Sequence, residues 1–348
     1  MFTKGFTING KHSFVDYGLH VKKRQLGFPK KNSIIKKIPF MSGFYDFTKI
    51  NGDVSWGERT ISYTFDIIGY TPEEVDAECT RILNWLGNVH DADIYDDTMV
   101  GYHLHGSFDS ATPSESEDGE HTELTVSFVC QPFKIKNDKT VINQYYGAVL
   151  QKIDGQPVRP TIEALTGGRW YHRPKLTDTT ENKWATFSAG EQLSPYVIGK
   201  GEYVFGITPT NQLATPWYDK SHEDSGITFT ANSDGTITIN GTATATAWFH
   251  LRHESNKFLP PVGDHFLQGC PTGGGTSTYR MQALVYNGEG NDAGSYYDYG
   301  AGTTITVSEK TEYVTVVIRV ASGYTANNLV ITPALYGNVK ISWNEEVL

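Results

Sequence analysis

The stretch Gly5-Phe6-Thr7-Ile8-Asn9-Gly10-Lys11-His12-Ser13-Phe14-Val15-Asp16-Tyr17-Gly18-Leu19 sets the reading of the chain. Phe6 and Ile8 alternate with polar residues, which is the period of a half-buried strand. Asn9-Gly10 is the dipeptide that fits the left-handed positions of a tight turn, so the run predicts an opening β-hairpin. At the other end, Asn338-Val339-Lys340-Ile341-Ser342-Trp343 reads as a short terminal strand. A β-rich segment between the two has the texture of a separate module. That organisation points to a structural and binding role rather than a catalytic one.

Composition agrees with many strands joined by tight turns. The 348 residues suffice for two or three domains with real cores, and the chain holds 35 glycines and 13% aromatic residues. A formal charge of −10 argues against wholesale nucleic-acid binding, which needs concentrated Lys and Arg. The charge is uneven: residues 1–60 hold 11 Lys/Arg against 4 Asp/Glu, and residues 61–140 hold 4 against 16. Such a contrast lets copies of the chain attract each other, although two independently solvated surfaces give the same counts. Met1-Phe2-Thr3-Lys4 does not read as a signal peptide, and no apolar run has the length of a membrane span. Cys79, Cys130 and Cys270 are odd in number and widely spaced. They predict buried thiols in a reducing compartment, not a disulfide framework or a zinc site.

Along the chain, Lys22-Lys23-Arg24, Lys30-Lys31 and Lys36-Lys37 punctuate residues 20–40, with Pro29 and Pro39 breaking any pattern. This predicts an extended basic arm or long hairpin. It lacks the aromatic interleaving of single-strand binders. Ile61 to Ile67 alternates as a strand. One helix follows: Thr71 and Glu74 form a capping box, and Pro72 stands at the first helical position. Val75, Cys79, Ile82 and Leu86 recur at helical spacing, and Gly87 is placed for a left-handed stop. Strands resume at Gly101–Phe108 and Glu123–Val129, joined by an acidic, Ser-rich stretch from Ser110 to Glu120 that reads as a loop. Glu202–Ile207 and Asn338–Trp343 lack obvious neighbours and are expected to pair with one another across the segment 208–337. That segment has an Asp234-Gly235 hairpin and several short strands, the pattern of a jelly-roll sandwich.

The order Phe-x-Ile-Asn-Gly-Lys-His-Ser-x-x-Asp-Tyr-Gly-Leu at 6–19 resembles the start of siphophage distal tail proteins. So do Ile38-Pro39, Gly43-Phe44-Tyr45-Asp46-Phe47, the strand near Ile61–Phe65, and the helix ending Ile82-Leu83-Asn84-Trp85-Leu86. The match covers about residues 1–135. Gly226–Ala243 and Asn327–Pro333 are similar to carbohydrate-binding-like jelly rolls of phage tail proteins. The resemblance implies a mainly β protein: an N-terminal β-sandwich with one helix and a hairpin arm (residues 1–142), and a galectin-like sandwich split between 143–207 and 338–348. A jelly roll is inserted at 208–337. It further implies a virion structural protein of the tail tip, assembled in the bacterial cytoplasm. Its copies close a hexameric baseplate hub ring between the tail tube and the tip proteins. Host cell-wall polysaccharide is the implied ligand of the insertion, with no nucleic-acid or membrane partner. Lys22, Lys23, Arg24, Lys30, Lys31, Lys36 and Lys37 are then candidates for contact with a neighbouring subunit.

Sugar binding by a sandwich needs flat rings against pyranose faces and polar groups for hydroxyls. Candidate rings are Trp217, Trp248, Tyr279, Tyr296, Tyr297 and Tyr299, with Tyr218 and Tyr286 also weighed. Candidate polar partners are Arg252, Arg280 and Asp298, with His250. Ser295–Gly300 reads as a Gly-flanked loop, and is the best of these. The plain alternative is that most strand aromatics are core. His103 and His105 share a strand face without a third metal ligand, and Asp91, Asp93, Asp96 and Asp97 lack the pattern of a calcium loop. No cofactor is expected, and a structural calcium in the jelly roll has no identifiable ligand set. A glycan depolymerase would need two carboxylates beside a groove, for which Glu289, Asp292 and Asp298 are the available acids. No nucleophile or metalloprotease motif is present, so the chain is not expected to be an enzyme. A protein-docking role for the insertion is the other alternative.

Overall fold

Alternating apolar and polar residues become antiparallel strand along most of the chain: strands hold 56% and helices 6% of it, a mainly β fold. The computed structural model describes residues 4–37, 42–48, 54–115, 121–175, 184–190, 198–288 and 292–348. They divide into two compact units, one of residues 1–140, 155–158 and 344–348, the other of residues 141–154 and 159–343.

In the first unit, Asn9 and Gly10 take φ of 49° and 73°, and the turn closes Phe6–Ile8 against Lys11–His12. The opposite edge of Phe6–Ile8 pairs with Ala92–Asp96. The Phe6 ring is fully buried. It lies 4.5 Å from the ring of Tyr63, 5.4 Å from Phe128, and stacks on Trp85 at 5.7 Å. Those three belong to strand Arg59–Ile68, strand His121–Cys130 and the helix Pro72–Leu86, so one side chain ties all three together. The long strand Tyr102–Glu115 pairs first with Ala92–Asp96 and then with His121–Cys130. It turns at Gly106, where a Cβ would stand 2.4 Å from the Val129 carbonyl oxygen. Part of the expected acidic loop is therefore strand as far as Glu115; residues 116–120 lie outside the described residues.

The helix starts as expected, with Thr71 Oγ1 accepting from the Glu74 N–H at 3.3 Å. Glu74 reaches back to the Tyr70 N–H at 2.8 Å, one residue earlier than a reciprocal box would place it. Val75, Ile82 and Leu86 are buried. Gly87 departs from expectation: its backbone is right-handed (φ −60°). A Cβ there would stand 2.8 Å from the Leu83 carbonyl oxygen, so the last turn would have to shift to admit one.

The arm begins later than the charge pattern suggests. Val21–Leu26 is a sheet strand paired with Arg59–Ile68. Lys22 bonds Asp66, at 3.1 Å, and Glu123. Arg24 donates to Asp96, which also accepts from Tyr63 Oη at 2.7 Å and from Thr98. Burial opposes the ionised form of Asp96, but the bonds from Thr98, Arg24 and Tyr63 prevail and hold its carboxyl below the usual range. Lys22 and Arg24 are thus internal ties within the unit, and Lys23 stands exposed on the same strand. The described parts of the hairpin lie within residues 27–37, 42–48 and 54–58. Gly57 N–H donates to Lys30 O at 2.7 Å, Asn32 N–H to Ser55 O at 3.0 Å, and Ile35–Lys36 pairs with Tyr45–Asp46. Ile38 and Pro39 lie outside the described residues.

In the second unit, Gly201–Pro209 runs between Gly147–Ile153 and Gly168–Pro174. The expected pairing of 202–207 with 338–343 does not occur, since Thr161–Ala164 is the partner of Val339–Ser342. The two runs meet instead through their faces: Phe205 and Trp343 stack at 5.7 Å and 15°. They are opposing layers of a sandwich, for which apolar alternation gives the same signature as edge pairing. Another core draws all its fully buried members from Leu213 to Leu335. It lies among two four-stranded sheets and a three-stranded one. The first sheet carries the expected Asp-Gly turn, with Gly235 at φ 84°. Burial pushes the thiols of Cys130 and Cys270 up to about 12, so both are poor nucleophiles.

Replacing Phe6 by Ala should destabilise the first unit by about 3–5 kcal/mol in denaturant melts, leaving the second unit's transition unmoved. A loss below about 1 kcal/mol would show that the ring does not carry the packing.

Candidate binding face

The sheet Ala247–Arg252, Thr311–Val320, Tyr279–Asn287 and Asp292–Asp298 buries one face, including Phe249, Ile318 and Met281. Residues one position away must point to the other face. Trp248 stands opposite Arg319, and Arg319 opposite Arg280. The next row is His250, Val317, Gln282 and Tyr297. Then come Thr315, Leu284 and Ser295, and beyond them Tyr313 and Tyr286, whose rings stack at 4.7 Å. The outer face is therefore a floor of rings and guanidinium groups.

The long side chains lie across this floor. The Arg280 guanidinium sits 4.4 Å from the Tyr297 ring centroid, and that of Arg319 5.9 Å from Trp248. Tyr297 and Tyr299 stack at 6.0 Å. Gln282 and Val317 are 8% and 7% exposed although they point outward, as expected beneath larger neighbours. Arg280 Nη2 donates to Gln282 Oε1 at 3.0 Å, and Arg319 Nη1 to Thr276 O at 2.9 Å. Partly buried rings with adjacent donors suit a sugar: flat area for C–H faces, N–H groups for hydroxyls.

Four of the nine ligand candidates read from the sequence share this face or its edge: Trp248, Arg280, Tyr297 and Tyr299. The others have different places. Ser295–Asp298 is strand, not loop. Asp298 is wholly buried; its carboxylate accepts from Cys270, Gly300 and Gly302 N–H groups at 2.7–2.9 Å. It holds two loops together and is not offered to ligand. Tyr279 is 4% exposed, with its hydroxyl on the Thr272 carbonyl. Tyr296 packs against the core. Arg252 is spent on the carbonyls of Gln212, Ala214, Pro216 and Leu251. Trp217 lines a separate cleft with Tyr146, Asp234, Gln268 and Tyr336, and its indole N–H donates to Leu213 O. The sequence reading missed Arg319, whose place follows only from strand register, although alternation from Ile318 carries the signal.

Neither metal hint forms a site. His105 is held by Asp93 at 2.7 Å and Asp91 at 2.8 Å, and the Asp93 bond raises its pKa. His103 bonds Asn137 at 2.8 Å, and Asp97 takes the Gly5 N–H and His12. Among the described residues no cluster of three or more His, Cys, Asp or Glu has the placement to bind a metal. Of the three depolymerase acids, Asp298 is buried; Glu289 and the Asp292 side chain lie outside the described residues.

No protein-family model matches the chain, and no curated protein matches it. Among solved structures it is similar to SPP1 Dit, a hub adsorption protein of Gram-positive infecting phages, at 12% identity and TM-score 0.46 over 100% of both chains. It is similar to a chain of the phage p2 baseplate in its activated conformation, at 10% identity and TM-score 0.28, over 99% of this chain and 98% of that one. The stem and receptor-binding domain of spike protein P1 from bacteriophage PM2 matches 60% of this chain and 97% of its own at TM-score 0.23, with 10% identity. Similarities of this size carry no functional weight.

Asp298→Ala should lower the stability of the core built from Leu213 to Leu335 by about 2–4 kcal/mol, because buried N–H groups lose their acceptor. Thermal melts read this, and an unshifted transition would return Asp298 to the list of ligand candidates.

Proposed function

We propose that this chain is a subunit of a phage tail hub. Six copies close a ring through their first units, between tail tube and tip proteins, and the jelly roll of each presents its outer face to host cell-wall polysaccharide. The arm is the observation that carries this reading. Phe28 is 86% exposed and Phe44 61%, and Ile34, Ile35 and Phe47 are also exposed, on a two-stranded ribbon with no core of its own. Isolated ribbons are marginal in water, so such a surface calls for a cover. Lys30, Lys31, Lys36 and Lys37 are exposed on the same ribbon.

A complementary surface exists on the same unit. The helix and the strands beneath it leave a groove of about 350 Å³, with Val75, Cys79, Leu83, Pro113 and Leu124 among its lining residues and Asp76 in its wall. Glu73 and Glu74 are exposed on the first turn of that helix. Apolar arm residues filling a neighbour's groove, with lysines against its acids, would account for both surfaces and for the opposed charges of residues 1–60 and 61–140. A ring also adds weak sugar contacts into useful avidity.

Mass photometry of the purified protein should show a closed species of six copies. Replacing residues 33–54 with Asn-Gly should leave folded monomers, since the first unit's core lies elsewhere; rings that persist would contradict the role of the arm. Tyr297→Ala should weaken attachment to host cell walls about three- to tenfold without moving the melting transition. Unchanged attachment would favour a protein-docking role for the insertion.

A further inference from the structure

The outer face holds two guanidinium groups directly across neighbouring strands. Arg280 and Arg319 are register partners, so their Cβ atoms are about 5 Å apart, and like charges so placed repel. Neither has a carboxylate partner among the described residues. The residues of their own row and the next two, from Trp248 and His250 to Tyr297 and Ser295, include no acid. Arg280 Nε is also buried with no hydrogen-bond partner. Stacking on Tyr297 and Trp248 fixes both side chains without neutralising either.

Building two cations side by side costs stability unless something anionic bridges them. We infer that the face binds an acidic polysaccharide, with Arg280 and Arg319 straddling an anionic substituent while Trp248 and Tyr297 carry the sugar rings. The substituent is a single negative charge with paired oxygens, either a uronate carboxylate or a phosphodiester, since guanidinium forks fit both. This rests on the glycan-binding reading of the same face, and adds charge to its ligand. The strand residues of these three rows carry no acid although the net charge is −10; Asp219 reaches the edge of the face, bonding His250 Nδ1 at 2.9 Å, and Asp224 accepts from the Trp248 N–H at 2.8 Å.

The test uses the full chain on three immobilised polymers: polygalacturonate, a sugar–phosphodiester polymer, and neutral dextran. At least one acidic polymer should retain the protein, more strongly than dextran, and retention should fall about tenfold or more from about 50 mM to about 300 mM NaCl. Which acidic polymer binds identifies the anion. Arg280→Gln with Arg319→Gln should reduce that retention about tenfold or more, whereas the double Lys variant keeps a substantial part of it. The Lys variant also serves if the Gln pair fails to fold. Binding to dextran that equals binding to the acidic polymers, or that ignores salt and the Gln pair, overturns the acidic ligand but leaves glycan binding intact if Tyr297→Ala still weakens it. No retention on any polymer or on host walls overturns both.

Discussion

The first unit depends on the packing of one ring. Phe6 enters a space bounded by Tyr63, Phe128 and Trp85, which come from two strands and the only α-helix among the described residues. Those partners are separated by long stretches of chain, so no local preference brings them together. Burying a phenyl group from water, at about 25 cal/mol per Å², supplies a common surface for all three. The Asn9-Gly10 turn then matters because it sets the register that points Phe6 inward. A shift by one residue would turn Phe6 and Ile8 to solvent and leave the centre empty.

The same parity rule divides labour in the second unit. Along Tyr279–Asn287, Met281, Ala283 and Val285 build the core while Arg280, Gln282 and Leu284 build the outer floor. The core and the proposed binding face therefore occupy alternate positions of the same strands. Asp298 shows how closely they are joined. It follows Tyr297 by one residue, yet it points inward and ties the backbone of two loops, while the ring of Tyr297 lies on the opposite side.

Local signals were readable where a short segment determines its own structure: the two hairpin turns, the helix with Thr71 and Pro72, and the strand 61–67. Readings that needed long-range partners were not. Lys22 and Arg24 look like arm residues until Asp66, Glu123 and Asp96 are brought beside them. Glu202–Ile207 and Asn338–Trp343 have matching patterns because they face each other, and a pattern of apolar residues does not separate that from lying edge to edge. The candidate face was half legible. Aromatic residues could be named from composition, but their sorting into Tyr297 outside and Tyr279 inside is a matter of register. Arg319 enters the site only through its partner across the strand.

The arm joins the two levels of the account, because it is the part of the first unit whose own chemistry leaves it incomplete. Its backbone pairs with itself, but Phe28, Ile34, Ile35, Phe44 and Phe47 face solvent beside a row of lysines. If its cover is a second copy, the amides of residues 30–36 and 44–48 should be protected from hydrogen exchange only at concentrations where the protein assembles. Exchange measured by mass spectrometry across the assembly concentration gives the decision. Protection that grows with concentration is the predicted result; exchange equally fast in dilute and concentrated protein would contradict a subunit interface built on the arm.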